Sequence, residues 1–345
     1  MSQNPQQIIS SIAAKAQKLD RPVKLMELCG THSQSIAIHG LKKLLPANVS
    51  LVTGPGCPVC VTDQSDIDVM VELALNDVPV AIYGDTLRVP GNVMSLEEAR
   101  RRGADVNIVY DTTQALELSK SKPRLVFFGL GFETTTPMTA WAIKKGLTVY
   151  SAHKLFPPAM AALLANKDNR LDGFIDPGHV SAIIGTAVYS QFKVPQVIAG
   201  FSAVDVLKAI DMLLSQILAK EPRVENEYTR VVRAEGNKRA RDISDEVFQV
   251  TDARWRGLGL IPGSGLEIRP AFKDRDASQI YKKIVSEVRH RPAKPTACKC
   301  GLVLQGLIEP TDCALFGKAC NPDQPYGACM VSVEGACNIR FRFNQ

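Results

Sequence analysis

The stretch VKLMELCGTHS, residues 23–33, decides how the chain is read: a short apolar run, Val23 to Leu28, leads directly into the chemically loaded tract Cys29-Gly30-Thr31-His32-Ser33. The pairing recurs along the chain. Strand-length runs at Val49 to Thr53, Val78 to Tyr83, Val106 to Tyr110, Arg124 to Leu130, Leu147 to Ala152, Gly173 to Asp176 and Gln196 to Ala199 alternate with helix-like segments, the pattern of parallel sheets covered by helices. Most of them end in an unusual tract: GPGCPVC after Thr53, GDT after Tyr83, GFETTTP after Leu130, HK after Ala152, PGHVS after Asp176 and GFS after Ala199. Ligands of open α/β sheets bind in the crevice at the carboxyl ends of the strands. The tracts are therefore expected to converge on one central cleft between two domains.

Organisation follows from composition. The fold expected is α/β, with two Rossmann-like parallel-sheet domains and a small, loop-rich C-terminal domain. The polar SKSKP at residues 119–123 places a boundary between a first domain, 1–120, and a second, 121–222, and a third region covers 223–345. Ser95 with Glu98 reads as a capping box closed by Gly103, and a long helical pattern runs from Ser202 to about Lys220. Residues 223–241 are polar and rich in both charges, the basic run NKRARD reads as a solvated face, and WRGLGLIPGSGLEIRP reads as a loop-rich stretch that wraps another part of the molecule. The proline-bearing RPAKP near Arg291 introduces the cysteine-rich end.

A formal charge of +6 on 345 residues, with no basic-aromatic motif, argues against nucleic acid as a partner. No window approaches the ~18 uninterrupted apolar residues of a membrane span, and the N-terminus lacks the charged and apolar regions of a secretory signal. The compartment expected is a reducing cytoplasm, where cysteine clusters bind metals or exchange electrons more often than they form structural disulfides. Walker, dinucleotide-fingerprint and Gly-x-Ser-x-Gly patterns are missing from the sequence.

Cys29 and His32 read either as a nucleophile or metal ligand with a nearby imidazole, or as a buried thiol beside a helix-entry histidine. Cys57 and Cys60 form a CxxC between glycines and prolines, which suits a dithiol redox pair, a soft metal, or half of a zinc site shared with Cys29 and His32. Glu133 with its threonines stands where a helix N-terminus favours an anionic or polar ligand, or simple capping. His179 follows Asp176 in the same kind of position. His153, Lys154, Asp85 and Arg88 are further candidates for the cleft, and Asp205 is expected to be solvated.

Six of nine cysteines, Cys298, Cys300, Cys313, Cys320, Cys329 and Cys337, lie in the last 48 residues, after 237 residues with none. The gaps are irregular, unlike the tight ladder of a bacterial ferredoxin. A single zinc would leave two thiols over, whereas an iron–sulfur cluster on four thiolates with an adjacent redox pair accounts for all six.

Together, CGTHS, GPGCPVC, GFETTTP, PGHVSAIIG, WRGLGLIPGSGL and the six-cysteine tail resemble the HypD family of nickel–iron hydrogenase maturation factors, from about Leu25 to Cys337. The resemblance implies a redox-active scaffold that, with a HypC-type chaperone, holds iron while the Fe(CN)2CO centre is assembled with cyanide from a thiocarboxamide on HypE. The hydrogenase large subunit is then an indirect partner. It also implies two α/β domains and a domain with a 4Fe–4S cluster. Carried over by position, Cys29 ligates the iron jointly with the chaperone, His32 lies beside it, and Cys57 and Cys60 are a dithiol. Cys298, Cys313, Cys320 and Cys337 become cluster ligands and Cys300 with Cys329 a redox pair, the choice between Cys298 and Cys300 staying open. Two other readings are a passive iron-binding scaffold with a structural cluster and a stand-alone, cluster-dependent thiol–disulfide oxidoreductase.

Overall fold

Runs such as VFFG (residues 126–129) and QVIA (196–199) are buried at every position, because helices cover both faces of the sheets they enter. That is why they read as continuous apolar segments. The computed structural model describes residues 4–292 and 296–343, so residues 293–295 of the expected RPAKP linker lie outside the described residues. Its strands are β1 Val23–Glu27, β2 Val49–Thr53, β3 Val80–Tyr83, β4 Val106–Val109, β5 Val126–Gly129, β6 Thr148–Ser151, β7 Gly173–Pro177, β8 Gln196–Ala199, β9 Val224–Asn226, β10 Phe248–Trp255 and β11 Gly259–Ile268.

The fold is α/β with two wholly parallel sheets. One has the order β2-β1-β7-β8-β9 and the other β4-β3-β5-β6, while β10 and β11 form an antiparallel hairpin. The chain enters the first sheet with β1 and β2, leaves it to build all of the second, and returns with β7. A division at residues 120 and 121 therefore does not separate the sheets. It falls at the end of helix Thr112–Ser121, the crossover from β4 to β5 within the second sheet. A crossover helix satisfies a strand in either sheet equally well, so periodicity alone does not assign neighbours.

Strand order reverses at one place in each sheet: between β1 and β7, and between β3 and β5. These are the switch points at which crevices open. The tracts CGTHS and PGHVS leave the first, and GDT and GFETTTP the second.

The polar segment after residue 222 supplies β9, an edge strand whose exposure tolerates its charges. Two expectations need correction. The glycine-rich stretch is not a loop but the hairpin, with Gly257 and Gly259 both at φ +81° in its turn; it does wrap, since Arg256 N–H donates to the Val61 carbonyl and Leu155 N–H to that of Ser264. Asp205 is buried rather than solvated. It completes the capping box of helix Ala203–Ala219 with Ser202 and pairs with Arg230. Among the described residues no helix is long and apolar enough to cross a membrane.

Candidate functional site

Cys29 occupies the N-cap of helix Gly30–Ile38 directly after β1; its sulfur makes no cap hydrogen bond, but the nearby backbone N–H groups of Thr31 and His32 favour its thiolate. Burial nevertheless dominates and pushes the thiol up to about 12, with Glu27 adding to the rise. A sulfur in such surroundings keeps its proton until a soft metal ion replaces it. Behind it, Glu27 accepts the Cys29 N–H at 3.0 Å and the Ser33 hydroxyl. Desolvation pushes this carboxyl up to about 7.

The imidazole of His32 is turned away from that sulfur. Its Nε2 lies 2.9 Å from the Gly200 carbonyl, so Nε2–H donates, and burial lowers the group to about 4, leaving it neutral. The ring lies 4.9 Å from Phe201, which stacks at 3.9 Å on His179. The stack holds His179 at the wall of a cavity of about 120 Å³, which it shares with Cys29, Thr31, Gly56, Thr135 and Glu334. Both sheets and the C-terminal tail thus meet at one opening. Asp176, two residues before Gly178, is buried with neither carboxylate oxygen hydrogen-bonded among the described residues, and burial pushes it well above the usual carboxylate range.

The CxxC reaches the same place through its backbone. A Cβ on Gly56 would stand 2.4 Å from Cys29 N and 2.5 Å from its Cα, so the loop lies backbone to backbone on Cys29. Gly30 N–H donates to the Gly56 carbonyl at 3.3 Å. Cys57 and Cys60 are joined as a disulfide and buried at either end of the turn that starts helix Pro58–Val61.

That short helix packs against helix Ala328–Val331, which carries Cys329. The tail thiols gather behind it: Cys298 and Cys329 both lie close enough to Cys300 to perturb its proton affinity. Burial, then the neighbouring Cys298, Cys300, Cys320 and Cys313, raise Cys337. The Tyr326 N–H donates to Cys320 Sγ at 3.3 Å, and a Cβ on Gly327 would stand 2.5 Å from Cys298 Sγ. Thiol chemistry, a backbone donor to sulfur and room kept by a glycine fit a thiolate-held cluster. Among the described residues no three His, Cys, Asp or Glu side chains are already set around an ion position.

Other expected residues go elsewhere. The Glu133 carboxylate points inward, accepting the Phe156 N–H at 2.8 Å, while Phe132, Thr134 and Thr135 of its tract line the cavity. His153 is buried between Thr139 and Ser151, and Lys154 lies 3.7 Å from Asp66 beside a different pocket under the hairpin. Asp85 accepts from Ser332, and Arg88 donates to the Asp323 carbonyl, so GDTLR anchors the tail rather than the cleft. Sequence reading placed Phe201 only as part of the GFS tract and missed Glu27 and Glu334, of which Glu27 alone left a signal, as an acid inside an apolar strand.

Two parallel sheets with facing switch points, sulfur at the opening and a gathered set of thiols behind it, define an α/β scaffold built around cysteine chemistry. A family model described as HypD, hydrogenase formation hypA family, matches residues 3–344. The chain is 44% identical to the hydrogenase expression/formation protein HupD of Azotobacter chroococcum mcd 1, over 98% of this chain and 94% of that protein. It is 41% identical to the hydrogenase maturation factor HypD of Escherichia coli K12, over 98% and 95%. Against a putative hydrogenase expression/formation protein of Methanocaldococcus jannaschii the identity is 40%, over 98% and 96%. This chain belongs to the HypD family, and its role lies in hydrogenase maturation.

Proposed function

We propose that the protein is the redox-active scaffold on which, together with a HypC-type chaperone, iron is held as substrate while cyanide from HypE and carbon monoxide are attached to form the Fe(CN)2CO unit delivered to the hydrogenase large subunit. The observation that carries this reading is the single cavity where Cys29, His179 and the backbone of the CxxC loop meet. Cys29 supplies the soft thiolate that low-spin iron prefers, and the Thr31 and His32 N–H groups stabilise it once the proton has gone. His179, braced by Phe201, is the polar group across the opening.

Transfer of cyanide from a sulfur carrier, R–S–C≡N, breaks the S–C bond and consumes two electrons. Closure of the Cys57/Cys60 dithiol to a disulfide supplies both and releases two protons, one to the carrier thiolate and one to solvent. Packing of helix Pro58–Val61, which carries Cys60, against helix Ala328–Val331, which carries Cys329, supports the next step, in which the Cys300/Cys329 dithiol reopens Cys57–Cys60 by exchange and is itself oxidised. Cys298, Cys313, Cys320 and Cys337 would hold a 4Fe–4S cluster, whose chemistry is one-electron transfer to the neighbouring pair. Reducible pairs of this kind suit the cytoplasm. The test is anaerobic co-purification with the chaperone followed by infrared spectroscopy. Wild type is expected to carry cyanide and carbonyl stretches and Cys29→Ala to lack them; retention of both bands by Cys29→Ala refutes the reading.

A further inference from the structure

The thiols nearest the iron site are shut away from solvent: Cys57 is 3% exposed, Cys60 0% and Cys329 1%. Once oxidised, they need electrons from outside. The thiol relay meets a large opening at Cys300, whose side chain, with that of Cys298, forms part of the wall of a pocket of about 520 Å³. Cys300 is itself only 8% exposed, at the floor rather than the rim. A volume in the small-molecule range above a recessed sulfur suits a low-molecular-weight reductant better than the convex tip of a redox protein.

The side chains that line the wall carry only positive charge, while the buried Asp68 lies behind Gly91 within electrostatic reach of Arg256. Arg256 and Lys299 are its charged side chains, and no carboxylate is among the residues that line it. Arg256 is fixed by two main-chain carbonyls: its backbone N–H donates to that of Val61 at 2.8 Å and its side-chain Nε–H to that of Thr62 at 2.9 Å. Its Nη2 is buried and has no hydrogen-bond partner among the described residues. A guanidinium held in place with an unused donor is suited to a carboxylate.

We propose that this pocket admits a small anionic thiol of the carboxylate-bearing, glutathione class, which reduces the Cys300–Cys329 disulfide while Arg256 holds its carboxylate. The inference rests on the pair assignment made above. The incoming thiolate attacks Cys300 Sγ, forming a mixed disulfide and releasing Cys329 as thiolate. A second thiol then attacks the reductant's sulfur, giving the oxidised reductant and free Cys300. In sum, one protein disulfide and two thiols become two protein thiols and one small disulfide.

The full chain, purified anaerobically, is oxidised with one equivalent of diamide and mixed with glutathione or with cationic cysteamine at equal thiolate concentration. At low salt, glutathione is expected to react about tenfold faster, with the advantage shrinking as salt rises. Quenched samples should carry the adduct on Cys300 by mass spectrometry. Arg256→Gln should erase most of the preference and Arg256→Lys retain part of it. An unchanged ratio in Arg256→Gln, an adduct on another cysteine, or faster reduction by thioredoxin than by glutathione overturns the proposal. If Arg256→Gln fails to fold, the salt dependence of wild type decides, and a salt-independent ratio overturns it. Failure of diamide to form any Cys300–Cys329 disulfide instead removes the pair assignment itself, and the inference with it.

Discussion

Replacing Gly56 by alanine tests whether the CxxC loop is positioned by backbone contact with Cys29. The added Cβ would meet Cys29 N at 2.4 Å, Cys29 Cα at 2.5 Å and the Leu28 carbonyl carbon at 2.5 Å. None of these is the end of a flexible side chain. Carbon atoms settle near ~3.5 Å, so the two backbones must part by about 1 Å. That separation also lengthens the Gly30 to Gly56 hydrogen bond, already 3.3 Å. Overpacking of this kind costs about 1–3 kcal/mol, and a shift of that size between reacting groups costs on the order of 100-fold in rate. Gly56→Ala is therefore expected to lower the Tm by a few degrees while reducing the yield of cyanide-bearing iron far more. Thermal melts followed by circular dichroism and infrared band intensities on the same sample separate the two effects. A variant with wild-type melting and wild-type band intensity would show that the loop does not depend on this contact.

Other outcomes follow from the same geometry. Burial raises Glu133 to about 7, above its ordinary 4.5, so its contribution to stability is fully present below about pH 4.5 and is lost as pH rises through 7, on the order of 3 kcal/mol at most. Glu133→Gln keeps the acceptor for the Phe156 N–H and should flatten the fall in Tm between pH 5 and 7.5; an unchanged slope contradicts the assignment. Cys300→Ala should leave iron and sulfide content intact yet block maturation, and full hydrogenase activity in that background would remove the relay. Gly327→Ala places a methyl group 2.5 Å from Cys298 Sγ and should lower iron and sulfide per chain, as measured by chemical assay.

The strands were legible because their burial on both faces makes them uninterrupted apolar runs: Val49–Thr53 and Gln196–Ala199 lie where the sequence puts them. The convergence of CGTHS, GPGCPVC, GFETTTP and PGHVS was legible for the same reason, since switch-point chemistry follows from parallel topology, whereas GDT and HK end elsewhere. Sheet membership was not. Whether β7 pairs with β1 or with β6 depends on contacts far apart in sequence, and apolar alternation carries no such information. Side-chain direction was equally hidden. His32 and Glu133 stand at the expected positions, yet one bonds to Gly200 and the other caps the helix at Phe156, choices made by tertiary partners. The hairpin was misread because its glycines serve a turn and a bulged pair of strands, where they had suggested a loop.

The interleaved path of the chain also bears on its synthesis. The second sheet is continuous in sequence, from Val80 to Ser151, and is complete as soon as those residues emerge. The first sheet waits: β1 ends at Glu27, but its inner neighbour β7 begins only at Gly173. At ribosomal speeds that delay is roughly 10 s. Throughout it, β1 and β2 carry an open edge, and Cys29, Cys57 and Cys60 have not yet received the walls that later bury them. A nascent chain of this design is most vulnerable to oxidation and mispairing before residue 173 appears, and a fragment cut at residue 120 preserves that vulnerable state.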